Sequence, residues 1–98
     1  MKLKPECSDD GVLQGYAFYC PGCEHLHIYY VAGRLTWSKG GNLESPTFSP
    51  SLLNTADKHP DPRQRRCHLN LTAGKIVFHA DSSHDLRGRT VDLPDYPY

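Results

Sequence analysis

The fold is decided by one stretch near the beginning of the chain, Tyr19-Cys20-Pro21-Gly22-Cys23-Glu24-His25-Leu26-His27. Its two cysteines flank a Pro-Gly pair, which predicts a tight turn that aims both thiolates at one point. Two such thiolates are half of a tetrahedral zinc site. Aromatic residues alternate over 14–20, and a β-prone run follows over 26–31, so each flank is predicted to be a strand. The stretch therefore predicts a zinc-knuckle hairpin.

Length and composition indicate how much a metal must contribute to the fold. A chain of 98 residues is expected to be one domain with a modest core. Hydrophobic residues make up 38% of it, against roughly 45–50% in typical domains on a count that includes glycine. Eight glycines and eight prolines indicate many turns. We expect a mostly β, single zinc-stabilised domain over 1–98, its core at about 14–94, built of short antiparallel strands and long loops.

Charge and hydropathy argue against two classes of partner. Eleven basic and eleven acidic residues give a formal charge of zero, so bulk charge gives no support for nucleic-acid binding. The longest apolar run, residues 28–32, is too short to span a membrane, and the first residues lack the apolar segment of a secretion signal. We therefore expect a cytoplasmic protein without a membrane partner. In that compartment the four cysteines favour metal binding over disulfides.

The clearest further element is a hairpin over 67–79. Alternation along its first strand puts Cys67 on the apolar face with two leucines, whereas His68 points the other way unless a bulge re-aims it. Weaker patterns predict a loosely organised 1–13, a strand at 35–38, a turn at 39–42, a long mobile loop over 54–66 and a last strand at 90–93.

A proline-rich segment, residues 45–53, offers two interpretations. Its two prolines, four residues apart, exclude a helix interior and a central strand. The segment is therefore either an edge strand or rigid loop packed by Phe48 and Leu52, or a binding wall. As a wall it would present the hydroxyls of Thr47, Ser49 and Ser51.

The search for two more metal ligands leaves one position open. Cys67 is the best third ligand, because it is the only other cysteine in a defined element. The fourth position falls to His68 or His84, although adjacent residues on a regular strand point apart, which argues against pairing Cys67 with His68. His27 lies only four residues beyond Cys23 and would be crowded. Cys7 is either a spare thiol or a ligand delivered by the N-terminal arm.

An ordered set of motifs resembles a known family. The set covers residues 16–97 and comprises Phe18-Tyr19-Cys20-Pro21-Gly22-Cys23 with His27, Pro46-Thr47-Phe48-Ser49-Pro50-Ser51, Cys67-His68 before a glycine-centred hairpin, and Asp81-x-x-His84-x-Leu86-x-Gly88 followed by Leu93-Pro94. It resembles DUF6527, a family of small phage and prophage proteins of unknown function. The resemblance implies a small β-rich zinc protein.

The resemblance also ranks candidate residues. In relatives a Cys-x-x-His ends at the position of His68, which ranks His68 ahead of His84 as the fourth ligand. Here Arg65 holds that cysteine's place and Cys67 adjoins the histidine instead. Relatives usually have glycine where this chain has Glu24. Some relatives lie in bacterial operons with ubiquitin-like conjugation enzymes, which implies a role in protein modification or defence.

Two functions follow from these patterns. The first is a phage-type accessory module with a structural Zn²⁺ held by Cys20, Cys23, Cys67 and His68. Its groove, walled by residues 46–51, Trp37 and His84, would capture a phage or host protein. The second is a small zinc hydrolase or transferase with an open metal position. Its candidate acid–base residues are Asp81 with His84 or His27. Four protein ligands would favour the first function.

Overall fold

Nine short strands dominate the computed structural model, which describes residues 1–33 and 36–98. The prediction of a mostly β domain of short antiparallel strands is confirmed. The strands are β1 Lys4–Cys7, β2 Leu13–Cys20, β3 His25–Tyr30, β4 Ser38–Gly41, β5 Pro46–Ser49, β6 Leu52–Thr55, β7 Arg66–Thr72, β8 Lys75–Phe78 and β9 Thr90–Asp92, with one 3₁₀ turn at Pro62–Gln64.

The strands form three antiparallel sheets. The first has the order β1-β2-β3, the second is the pair β4-β5, and the third has the order β6-β7-β8-β9. Because β2 and β3 pair Cys20 with His25, the knuckle turn lies at one end of the first sheet. No helix among the described residues is long and apolar enough to cross a membrane.

The core lies between the first and third sheets, with β5 alongside. Tyr29 stacks on Phe48 with ring centroids 4.1 Å apart, and Phe18 stacks on Tyr29 at 5.5 Å. Leu69 and Leu71 of β7 are fully buried in the same cluster. Cys20, Cys23 and Cys67 lie within it as well, so the predicted metal ligands share the interior with the aromatic stack.

The predicted hairpin over 67–79 is confirmed as β7 and β8. The residues of β7 alternate between buried and partly exposed, so Cys67 faces the core and His68 faces the opposite side. Ala73 and Gly74 join the strands, both with positive φ, as a tight two-residue hairpin turn requires. The last strand is also confirmed, as β9.

The prediction for the N-terminal arm is wrong. Residues 4–7 form β1, which pairs with β2, and Leu3 is completely buried. The arm is ordered because it covers the outer edge of β2 with a ladder of backbone hydrogen bonds, a long-range pairing that its own composition does not reveal.

Two predictions around β4 and β6 also need correction. The predicted turn at 39–42 is mostly strand, because β4 pairs with β5 over Ser38–Gly41. Of the strand predicted at 35–38, Leu35 lies outside the described residues, Thr36 and Trp37 are not in a strand, and only Ser38 belongs to β4. The predicted mobile loop over 54–66 begins with the end of β6, which pairs with β7. The Pro-rich segment is extended, as expected, and supplies β5.

Candidate functional site

Three cysteines and one histidine converge in the core. One ligand atom from each of Cys20, Cys23, Cys67 and His84 lies within 4.8 Å of the others, and all four side chains are buried. The Sγ atoms of Cys20 and Cys67 are 3.9 Å apart, and the Sγ of Cys67 is 3.5 Å from Nε2 of His84. Tetrahedral zinc with Zn–S bonds of about 2.3 Å separates its sulfur ligands by about 3.8 Å. The donor set and its spacing therefore fit such an ion.

The knuckle turn is shaped for this convergence. The backbone N–H of Cys23 donates to the Sγ of Cys20 at 3.5 Å, and the N–H of Glu24 donates to the carbonyl of Cys20 at 2.7 Å. A Cβ at Gly22 would lie 2.3 Å from the ring of His84. Glycine is needed there because the imidazole approaches the turn backbone directly.

Glu24 occupies a strained position in this turn. Its φ is +61°, a left-handed conformation that costs a residue with a Cβ roughly 1–2 kcal/mol. The glycine that members of DUF6527 usually have at this position would avoid that strain. We expect Glu24→Gly to raise the free energy of unfolding by about 0.5–1 kcal/mol, after the entropy that glycine loses on folding. Chemical denaturation of metal-loaded protein measures this. Glu24→Ala keeps the strain, and an equal gain from alanine would contradict the explanation.

Electrostatics within the cluster favour a bound cation. Hydrogen bonds from Cys23 and Cys67 lower the pKa of the Cys20 thiol, with a smaller contribution from His27. Hydrogen bonds with Cys20 and with Cys23, together with burial, raise the pKa of Cys67 above its usual value. Without a cation, one thiolate is thus stabilised by two protonated neighbours. A divalent ion at the centre would let all three cysteines ionise.

The structure brings His84, not His68, to the three cysteines. His68 lies on the opposite face of β7, because adjacent residues of a regular strand point apart. The ranking that placed His68 in the fourth position is therefore corrected in favour of His84. Cys7 is exposed, at the end of β1, and is not among the convergent residues.

His27 is buried beside the cluster but is not among its four convergent side chains. It is only 5% exposed, and its Nδ1 lies 2.9 Å from the side-chain nitrogen of Asn54. If that amide donates, the proton of the imidazole is on Nε2. Nε2 is buried without a hydrogen-bond partner among the described residues. Such an N–H next to Cys20 suits a neighbouring thiolate as acceptor, which again fits a charged cluster.

A second constellation lies on the other face of β7. The Oγ of Ser51 is 3.0 Å from Nε2 of His68, and Nδ1 of His68 is 3.1 Å from Oδ1 of Asp81. A hydroxyl, an imidazole and a carboxylate are thus linked in series through the two nitrogens of one ring. The ionised carboxylate accepts the proton on Nδ1, so Nε2 is free to accept the hydroxyl proton of Ser51.

Strand pairing explains how Ser51 reaches His68. In the ladder between β6 and β7, Leu53 is opposite His68. Ser51, two residues before Leu53, is therefore a diagonal neighbour of His68 on the same face. The indole Nε1 of Trp37 donates to the carbonyl of Ser51 at 3.1 Å, which fixes the backbone of this residue where β6 begins.

Two hydroxyls hold the loop that carries Asp81. The N–H of His68 donates to Oγ of Ser82, which in turn donates to the carbonyl of His68, both at 3.0 Å. The N–H of Arg66 donates to Oγ of Ser83 at 2.8 Å. These bonds tie the loop after β8 to the backbone of β7, where the β7–β8 ladder has ended. They hold Asp81 over the polar face of β7 while His84, three residues on, reaches the core.

Arg66 orients the carboxylate of Asp81. Its Nε and Nη2 donate to Oδ2 at 3.0 and 2.8 Å, which leaves Oδ1 for His68. The hydrogen bond from Arg66, assisted by His68, lowers the pKa of Asp81. The carboxylate therefore stays ionised throughout the neutral range. A lowered pKa stabilises the fold above the ordinary pKa of an aspartate, and this contribution is lost as the pH falls through the lowered value.

Removing the guanidinium of Arg66 should raise the pKa of Asp81. We expect Arg66→Met to raise the pKa of Asp81 towards the ordinary value, because the main donor to Oδ2 is gone while the aliphatic stem is kept. Carboxyl-carbon NMR titration measures the shift. Arg65→Met is the matched control, since Nε of Arg65 donates to the carbonyl of His59 instead. An unchanged pKa of Asp81 in Arg66→Met would contradict this assignment.

A neighbouring histidine supports the ring of His68 from one side. The imidazoles of His68 and His79 stack with centroids 3.9 Å apart and planes within 13°, and Nε2 of His79 donates to Oδ1 of Asn70 at 2.6 Å. His68, His79 and Asp81 are close enough to be a second potential metal group. Parallel stacked rings direct their in-plane lone pairs side by side, however, rather than at one ion. The arrangement favours a hydrogen-bonded series over a metal site.

The sequence singled out these residues without pairing them correctly. Asp81 was expected to pair with His84 or His27, but both histidines are buried at or beside the cysteine cluster, and Asp81 pairs with His68. Ser51 appeared only as one of three hydroxyls in a possible binding wall. His84, one predicted wall of the binding groove, is only 1% exposed and offers a partner little surface, and the capture of a partner stays a prediction.

Comparison with protein families gives one match over most of the chain. The model of a family described as bacterial ubiquitination-like system serine protease (BubE) matches residues 4–79. The chain belongs to the BubE family. Comparisons with curated proteins and with solved structures gave no match. This bacterial family, rather than DUF6527, is the one that the comparison supports, and its description carries no phage link.

The BubE match includes most of both constellations. Ser51 and His68 lie inside the matched segment with the three clustered cysteines, whereas Asp81 and His84 follow shortly after its end. The association with phages stays a prediction.

Proposed function

We propose that this BubE-family chain is a serine peptidase in which Ser51, His68 and Asp81 are the nucleophile, the general base and the carboxylate that orients the base. The observation that carries the proposal is the unbroken hydrogen-bonded series from Ser51 Oγ through both nitrogens of His68 to Asp81. Such a series is recognised by its geometry and occurs on unrelated folds. The description of the family as a serine protease supports it independently.

Each residue has a defined part in the reaction. His68 Nε2 accepts the hydroxyl proton as Ser51 Oγ forms a bond to the peptide carbonyl carbon. His68 then returns that proton to the leaving amine as the C–N bond breaks, and an acyl group remains on Ser51. A water molecule, deprotonated by His68, hydrolyses the ester and restores the serine. Asp81, held by Arg66, stabilises the imidazolium that forms in both steps.

The metal has a structural role in this proposal. Cys20, Cys23, Cys67 and His84 supply four buried protein ligands, and a site with four protein ligands leaves no open position for a substrate. When bound, Zn²⁺ would supply cross-linking of the first and third sheets rather than Lewis-acid chemistry. The hypothesis of a structural metal is therefore retained. The residues assigned as catalytic lie instead on the opposite face of β7.

The matched family is described as the serine protease of a bacterial ubiquitination-like system, which supports a substrate from such a system. We therefore propose a polypeptide of such a bacterial system as the substrate. This replaces the more general protein-capture module of the sequence analysis with a partner that is cleaved.

A fluorophosphonate probe tests the assignment of the nucleophile. Such probes phosphorylate serines that an adjacent base activates, so we expect stoichiometric labelling of Ser51, located by peptide mass spectrometry. Ser49, exposed at the end of β5, serves as the internal control and should stay unmodified. Labelling that is absent, or that falls equally on Ser49, would overturn the proposal.

A further inference from the structure

A cleft of about 420 Å³ lies between β3 and the end of β6, and Gln64 and Cys67 also line it. Its walls include Leu26, Ile28 and Tyr30 from β3, and Thr55 and Ala56 from the end of β6. None of the described lining residues is an aspartate, glutamate, lysine or arginine. The cleft therefore suits a segment with uncharged side chains.

Backbone groups of both strands are directed towards this cleft. The N–H of Ala56 donates to the carbonyl of Arg65 at 2.8 Å across the β6–β7 ladder. Alternation then makes the even-numbered residues of β6 bond to β7, while Leu53 and Thr55 turn their N–H and C=O groups to the open edge. Among the described strands, β6 pairs only with β7.

The β3 side follows the same rule. The N–H of Val31 donates to the carbonyl of Gln14 at 2.9 Å, so the odd-numbered residues of β3 bond to β2. The backbone groups of Leu26 and Ile28 consequently face outward. Two strand edges with outward backbone groups thus border one uncharged cleft.

Trp37 joins the two edges next to the proposed nucleophile. Its backbone N–H donates to the carbonyl of Tyr30 at 2.8 Å, and its indole Nε1 donates to the carbonyl of Ser51 at 3.1 Å. The cleft lies towards the other end of β6, where Asn54, Thr55 and Ala56 line it, and Trp37 marks the end at which β6 begins. A chain lying on the edge of β6 would pass Ser51 at that end.

We infer that the substrate binds as an extended polypeptide strand along the open edge of β6, with alternate side chains entering the cleft between β6 and β3. This inference rests on the proposed function and adds the conformation and the subsites of the substrate. An extended chain is the ligand whose alternating N–H and C=O groups match a strand edge. Strand addition places the chain in line with Ser51, because β6 begins at the next residue.

The geometry also gives the position of the subsite. Thr55 is four residues from Ser51, or about 13 Å along a strand that rises roughly 3.3 Å per residue. The substrate residue that pairs with Thr55 therefore lies about four residues from the scissile bond. A peptide that has fewer than about four residues between its scissile bond and its end on the β6 side cannot pair with Thr55. We expect such a peptide to be cleaved more slowly.

A proline at the edge tests this mode of binding. Thr55→Pro removes an outward N–H that β7 does not use, so the fold should tolerate it. Thr55→Val keeps the N–H and controls for the side chain. Thr90→Pro is the matched control on β9, where the N–H of Leu93 donates to the carbonyl of Gly74 and alternation therefore turns Thr90 outward. The assay is cleavage of a proteome-derived bacterial peptide library, with fluorophosphonate labelling of Ser51 run in parallel.

We expect Thr55→Pro to lose about tenfold in cleavage, the loss that corresponds to one hydrogen bond, with labelling of Ser51 unchanged. Thr90→Pro should retain both, and Thr55→Val, which keeps the N–H, should lose less cleavage than Thr55→Pro. Full cleavage by Thr55→Pro, or a wild type that is labelled but cleaves no library peptide, would overturn strand addition while leaving the activated serine in place. A wild type that is neither labelled nor active would overturn the proposed function itself.

Discussion

Replacing Cys67 by serine is expected to abolish metal binding and to leave little folded protein at room temperature. Structural zinc sites contribute about 10–16 kcal/mol of apparent binding energy in small zinc domains, whereas a whole domain is stable by only about 5–15 kcal/mol. A buried hydroxyl in place of a thiolate also leaves two thiols and His84 without their shared partner. We expect the melting temperature to fall by more than about 15 °C, if a transition is still visible.

Metal content by mass spectrometry and melting by circular dichroism measure this effect. Cys7→Ser is the control, because Cys7 is exposed and outside the cluster, and it should change neither quantity. A Cys67→Ser protein that keeps one equivalent of metal and its melting temperature would contradict the structural role of the site.

Loss of a metal from the cysteine cluster should also disable the proposed catalytic series of Ser51, His68 and Asp81, because the two sites share short segments. Cys67 adjoins His68 on β7, and only two residues lie between Asp81 and His84 in the loop after β8. Wild-type protein stripped by a chelator should therefore lose fluorophosphonate labelling of Ser51. The fluorescence of Trp37, whose indole bonds to the carbonyl of Ser51, reports the accompanying structural change independently of activity.

Local patterns in the sequence were sufficient for the knuckle and for the orientation of β7. The Cys-Pro-Gly-Cys turn forms because its determinants are adjacent in the chain. Strict alternation along β7 correctly placed Cys67 in the core and His68 outside it. The same alternation argued against His68 as a ligand. The ranking of His68 ahead of His84 came from the family resemblance, and the geometry contradicts that ranking.

Local patterns could not predict the hydrogen-bonded series of Ser51, His68 and Asp81. It requires the register that sets Leu53 opposite His68, and the polar composition of 54–66 concealed the strand that provides this register. The position of Asp81 depends on the hydroxyls of Ser82 and Ser83, which bond to the backbone of β7. Both are long-range contacts, whose partners become neighbours only after the sheet has formed. A signal was nevertheless present, since a serine, a histidine and an aspartate all belonged to the quoted motifs.

His68→Ala should have the opposite pattern of effects from Cys67→Ser, although the two residues are neighbours. Without the imidazole, no group accepts the proton of Ser51, so we expect labelling and peptide cleavage to fall by at least about 10³-fold. His68 is partly exposed on the outer face, with 22% of its side chain accessible, and it does not contribute to the metal cluster. Metal content should therefore stay at one equivalent, and the melting temperature should change by only a few degrees.

Comparing His68→Ala with Cys67→Ser shows whether His68 is a metal ligand or the general base. If His68 were the fourth ligand, His68→Ala would lose metal and stability together, as Cys67→Ser does. If it is the general base, only the reactivity of Ser51 is lost. Ser51→Ala completes the comparison, because it should also abolish cleavage while retaining the metal. Cleavage that survives in both Ser51→Ala and His68→Ala would exclude the serine mechanism, whereas loss of metal in His68→Ala would return His68 to the metal site.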